Sequence, residues 1–101
     1  MQFLAVLKVK PDAPREKLDP LLKPEAQEVW KMLSSNVVRS VHYIDGGQGP
    51  AGAVLMLEVG DRDEAESHLG RLPMVEHGLL NVEILPLSPF TGLATLFAAS
   101  A

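Results

Sequence analysis

Cysteine is missing from this chain altogether. Disulfides, thiolate nucleophiles and cysteine-held zinc or iron–sulfur sites are therefore excluded. A chain without thiols suits a reducing compartment, and a cytoplasmic location is expected. There is no basic cluster either: nine Lys and Arg lie scattered among thirteen Asp and Glu, for a formal charge of −4. Neither nucleic acid nor an anionic membrane finds an electrostatic footing on such a chain. No apolar run reaches the roughly 18 residues that a spanning helix needs. No apolar run followed by a small-residue cleavage site marks a secretory signal. Aromatics are scarce, at 5% of the residues. The three histidines, His42, His68 and His77, show neither His-x₃-His nor HExxH spacing, and no metal is expected. The glycines of Gly46-Gly47-Gln48-Gly49 are followed by no Lys or Ser/Thr at phosphate-loop spacing.

What is present is a globular composition, 47% apolar and 22% charged, in 101 residues, which predicts a single domain over 1–101. Phe3–Val9 is apolar on both alternating faces as far as Lys8 and reads as a strand buried on two sides. Leu18, Leu21, Leu22, Ala26, Val29, Trp30 and Leu33 recur at helical spacing. Pro20 and Pro24 interrupt the phase, which predicts an irregular turn and then a main helix from near Pro24 to Ser34-Ser35-Asn36. Glu25 in its first turn suits the helix dipole.

Val37–Ile44 reads as a second strand, Asp45–Pro50 as a hairpin connection and Ala51–Val59 as a third strand, again apolar on both faces. Asp61, with Glu64 three positions on, predicts a capped helix with Ala65, Leu69 and Leu72 on its buried stripe. Pro73 is expected to stop that helix after Leu72. Met74, Val75, Glu76 and His77 form a short bridge, and Gly78 allows a sharp reversal. Leu79–Leu87 is the last strand, and Pro86 restricts it to a sheet edge.

The resulting order is βαββαβ, a ferredoxin-like α+β unit: a four-stranded antiparallel sheet with two helices on one face. Two helices cover one face of such a sheet, whereas the first and third strands are apolar on both. At roughly 25 cal/mol per Å² of apolar surface, leaving the second face wet costs several kcal/mol. A second copy packed sheet to sheet, a homodimer, is the expected remedy. The apolar extension over residues 88–101 is expected at that subunit interface.

Several of these segments carry a family resemblance. Leu72-Pro73, the short turn and Val82-Glu83-Ile84-Leu85-Pro86-Leu87 resemble the muconolactone δ-isomerase-like family of dimeric α+β barrels. Pro24-Glu25-Ala26 opening the helix of Trp30, Arg39 at the start of the second strand and Asp45-Gly46 in the hairpin are similar too. The resemblance spans roughly Phe3 to Phe90. It implies a homo-oligomer of barrel dimers with a small-molecule cleft between sheet and helices. It also implies a reaction that moves a proton, and with it a double bond, within a small lactone. No metal or organic cofactor is implied. After Leu-Pro the family has an aromatic-rich turn, whereas this chain has Met74-Val75-Glu76-His77-Gly78. The resemblance therefore speaks to fold more than to substrate.

Proton transfer beside a carbonyl needs a base and a donor for the developing oxyanion. Arg39 and Tyr43 share one face of the second strand and His42 points to the other. Arg39 and Tyr43 are substrate-binding candidates, or else an ion-paired strand end and an edge packing group. His42 is a candidate base, or an ordinary strand histidine. Glu58 interrupts an apolar strand and is a second candidate base; as a strand-end residue it would pair with Lys8 or Arg39. Glu83 allows the same two readings. Glu76 and His77, on the turn, are candidate substrate contacts or solvated turn residues. Three functions remain open: an isomerase-like protein binding a small organic acid or lactone, a non-catalytic oligomeric binding or assembly module, and a cofactor-free monooxygenase.

Overall fold

The computed structural model describes residues 1–99. The backbone runs β1 (Gln2–Val9), α1 (Arg15–Leu18), α2 (Leu22–Ser34), β2 (Val38–Asp45), β3 (Pro50–Glu58), α3 (Arg62–Gly70), α4 (Pro73–Glu76) and β4 (Leu80–Leu87). Short 3₁₀ segments cover Asp19–Leu21 and Thr91–Phe97. The strands are antiparallel in the order β2-β3-β1-β4. This is the ferredoxin-like α+β sheet that the element order predicts.

Alternation along the strands divides the side chains between two faces. Phe3, Ala5 and Leu7 of β1 and Leu55 and Leu57 of β3 are buried under the helices. Met32 of α2, Ala65 and Leu69 of α3, Leu72 and Met74 complete that core. Leu4, Val6, Ile44, Val54, Met56 and Leu85 share the other face by register, and none of them is buried.

The helix ends follow local chemistry. The Glu64 amide donates to Asp61 Oδ1 at 2.8 Å, and the Gly60 amide donates to Glu64 Oε2 at 2.8 Å. The expected cap is thus present, with its return bond placed one residue earlier than in a capping box. The main helix starts at Leu22, ahead of Pro24, because a first-turn proline gives up only an N–H with no partner in the helix. The sequence predicts one helix closing at Leu72. The structure instead ends α3 at Gly70 and opens α4 on Pro73. Leu72, preceding proline, is held extended, and proline itself is well suited to a first helical position. Met74–Glu76 is therefore helical, and Gly78, with φ of 72°, turns the chain into β4.

Every described residue beyond Leu87 is exposed. The molecule measures 63 × 30 × 20 Å, and its radius of gyration of 16.6 Å exceeds the roughly 13 Å of a compact chain of this size. The apolar tail therefore stands away from the body. Among the described residues no helix is long and apolar enough to cross a membrane.

Gly52 permits the close approach of β3 to β1. A Cβ there would lie 2.0 Å from the Leu7 carbonyl oxygen and 2.9 Å from Lys8 Cα, both backbone atoms. Gly52→Ala is expected to destabilise the fold by about 1–3 kcal/mol in urea denaturation. A wild-type midpoint and slope for that variant would show that β1 yields at no cost.

Candidate functional site

α1 and α2 do not seal onto the sheet. A cavity of about 460 Å³ opens between them and the strands, with Leu7, Leu55 and Leu80 on its floor and Trp30 and Tyr43 at its mouth. Trp30 is 67% exposed and Tyr43 75%. The sequence predicts one apolar helical face from Leu18 to Leu33, and the structure splits it. Leu18, Leu21, Val29 and Leu33 pack against the core, whereas Leu22, Ala26 and Trp30 are exposed along the cavity. The stripe is wider than the sheet beneath it can cover, and the surplus becomes lining.

Glu25 sits in the middle of that lining, with Leu22 and Val29 about a helical turn to either side. The Met74 amide of α4 donates to its Oε1 at 2.9 Å. α4 has no side-chain cap of its own at Leu72, so Glu25 satisfies one of its free amides from across the fold. Among the described residues no donor reaches Oε2. Burial raises the Glu25 carboxyl above its ordinary 4.5, the Met74 amide pulls it down, and the nearby Glu28 charge raises it further. A half-buried carboxylate held up in this way, in the lining of a mainly apolar cavity, has the properties of a proton-transfer group. Arg15 and Asp19 also line the cavity, and they pair with each other at 3.5 Å while both remain exposed.

The residues singled out from sequence are dispersed. Tyr43 lies at the cavity mouth, on the helix face opposite Ala53. His42 reaches the rim from edge strand β2, but its register partner Val54 belongs to the open face of the sheet. Arg39 falls in the register shift between Val38 and Ser40 and is exposed. This bulge removes the simple parity that put Arg39 and Tyr43 on one face. Glu58 pairs with the Met1 amine at 3.1 Å, rather than with Lys8 or Arg39. Glu76 and His77 are exposed on α4 and its cap, and His77 Nδ1 lies 2.8 Å from the Pro73 carbonyl oxygen. Arg39, Glu58, Glu76, His77 and Glu83 do not line the cavity. Glu25, which does, carried one signal in the sequence: a carboxylate in the middle of an apolar helical stripe.

The raised Glu25 carboxyl has a defined effect on stability. The native state holds this proton to higher pH than the unfolded chain does. Its contribution is present below about pH 4.5 and is lost as pH rises through the raised native value. Glu25→Gln keeps an acceptor for the Met74 amide and cannot ionise. Its stability relative to wild type is expected to climb between about pH 4 and pH 7. Urea midpoints across that range are the check, and a difference that does not vary with pH refutes the assignment.

No family model and no curated sequence matches the chain. Solved structures do. The 5-chloro-2-hydroxyhydroquinone dehydrochlorinase of Burkholderia phenoliruptrix, in complex with 2,5-dihydroxybenzoquinone, superposes with a TM-score of 0.76 at 16% identity. That match covers 91% of this chain and 98% of the other. Muconolactone isomerase superposes with a TM-score of 0.70 at 18% identity, over 88% of this chain and 90% of the other. An antibiotic biosynthesis monooxygenase gives a TM-score of 0.52 at 16% identity, over 88% and 100%. At such identities the likeness is one of fold, and the chain has the α+β fold of muconolactone isomerase and its structural neighbours.

Proposed function

We propose that this chain is a cofactor-independent proton-transfer catalyst of the isomerase type, acting on a small cyclic ester or enone in the cavity under α2. The observation that carries the reading is Glu25: a half-buried carboxylate with a raised pKa and a free Oε2, enclosed by apolar side chains. In the proposed step Oε2 takes a proton from the carbon beside a carbonyl, and that C–H electron pair becomes an enolate. The same proton returns to the carbon at the far end of the conjugated system, and the double bond shifts along with it. The Tyr43 hydroxyl, at the cavity mouth, is the proposed donor to the enolate oxygen. Two proteins of similar fold are a muconolactone isomerase and a 5-chloro-2-hydroxyhydroquinone dehydrochlorinase, which supports a ring-sized substrate.

The expected homodimer belongs to the same reading. The apolar face of Leu4, Val6, Val54 and Met56 has no cover of its own among the described residues, and the tail presents Phe90, Leu96 and Phe97 to solvent. A second sheet with the tails laid along the contact accounts for both. His42 and Glu58 would then face the partner. A cytoplasmic setting fits a chain free of cysteine. A non-catalytic binding module uses the same cavity without the proton step. A monooxygenase would rely on enclosing aromatics, and the lining supplies Trp30 and Tyr43 alone.

A panel of five- and six-membered unsaturated lactones and cyclic enones tests the reaction by proton exchange and double-bond migration in NMR. Glu25→Gln is expected to lower kcat about 10²–10⁴-fold, while Arg39→Ala stays within a few-fold of wild type. Binding without turnover across the panel replaces catalysis by the binding-module reading. For assembly, Met56→Lys places a charge in the middle of the uncovered face, and sedimentation is expected to show the mass falling to that of one chain. A wild-type chain that already sediments as a monomer removes the dimer.

A further inference from the structure

The charges around the cavity restrict what it accepts. Four titratable side chains line it: Arg15, Asp19, Glu25 and Tyr43; His42, on β2, points by register to the open face. Arg15, Asp19 and Tyr43 are exposed at the mouth, and Glu25 alone is half-buried within. The one guanidinium, Arg15, lies at the exposed mouth, where water screens it and Asp19 stands 3.5 Å from its Nε. The positive end of the α2 dipole is met by Glu25 itself, in the first turn. The lysines of α2, Lys23 and Lys31, line a separate groove on its outer side. Arg39 is off the cavity altogether. The interior therefore holds a carboxylate and no unpaired cation, inside apolar walls where charges are weakly screened.

We infer that the cavity selects uncharged ring compounds and rejects their carboxylate analogues, with Glu25 as the discriminating residue. The inference rests on the cavity being the ligand site, and it narrows the proposed substrates to neutral lactones and enones. A bound anion would bring a second negative charge beside Glu25 with no cation to offset either. A neutral carbonyl or hydroxyl meets no such penalty and can hydrogen-bond to Oε2 directly. Arg15, exposed at the mouth beside Asp19, offers an anion only a solvent-screened charge.

The test compares two probes with one carbon skeleton: methyl phenylacetate, which is neutral, and phenylacetate. Trp30, the single tryptophan, lines the mouth and reports occupancy by its fluorescence. At pH 7.5 the ester is expected to bind at least about tenfold tighter than the anion, a conservative reading of two like charges in contact. Glu25→Gln is expected to bring the two affinities within about threefold, and Arg15→Gln to leave the wild-type ratio in place. Phenylacetate binding as tightly as the ester overturns the inference and leaves the proposed function standing. So does a loss of phenylacetate affinity in Arg15→Gln, because that variant would expose the guanidinium as an anion clamp. If neither probe changes the Trp30 emission or the thermal midpoint in wild type and in Glu25→Gln, the cavity is not a site and both readings fall.

Discussion

The sheet of this protein is apolar on two faces and its helices reach one. Everything else is arranged around that imbalance. On the covered face α3 and α4 pack closely through Ala65, Leu69, Leu72 and Met74. α1 and α2 cover the other half of the same face less completely, and the gap beneath them is the cavity. On the bare face Leu4, Val6, Val54 and Met56 are left partly wet. Apolar burial is the largest favourable term in folding, so a surface of this kind is itself a statement about what the chain meets.

Within the cavity the same economy places one carboxylate where it does two things. Glu25 supplies the amide acceptor that the start of α4 lacks, tying α2 to the turn before β4. Its other oxygen has no protein donor among the described residues. The bond that fixes α4 therefore also holds the Glu25 carboxylate in the cavity lining.

Much of the scaffold could be read from local chemistry. Asp61 with Glu64, Gly78 at the reversal and Pro86 on an edge strand each act through neighbours in sequence, and each occupies its expected place. The site was harder to read. Glu25 had a sufficient local explanation as an acid in a first helical turn, and its burial depends on Met74, 49 residues away. Trp30 belonged to an apolar periodicity that gave no sign of being wider than the sheet. Arg39 was placed by strand parity, and a bulge between Val38 and Ser40 resets that parity without any glycine or proline to announce it. Pro73 shows the same limit in a milder form: a residue that can end a helix can equally begin one.

The two sheet edges bear on how copies of the chain can meet. β2 has register shifts at both ends, between Val38 and Ser40 and between Ile44 and Asp45. β4, on the opposite edge, includes Pro86, which has no amide hydrogen to offer. Neither border therefore presents an unbroken ladder onto which a further strand could zip. Sideways extension into ribbons or fibrils is disfavoured by these irregularities at both margins.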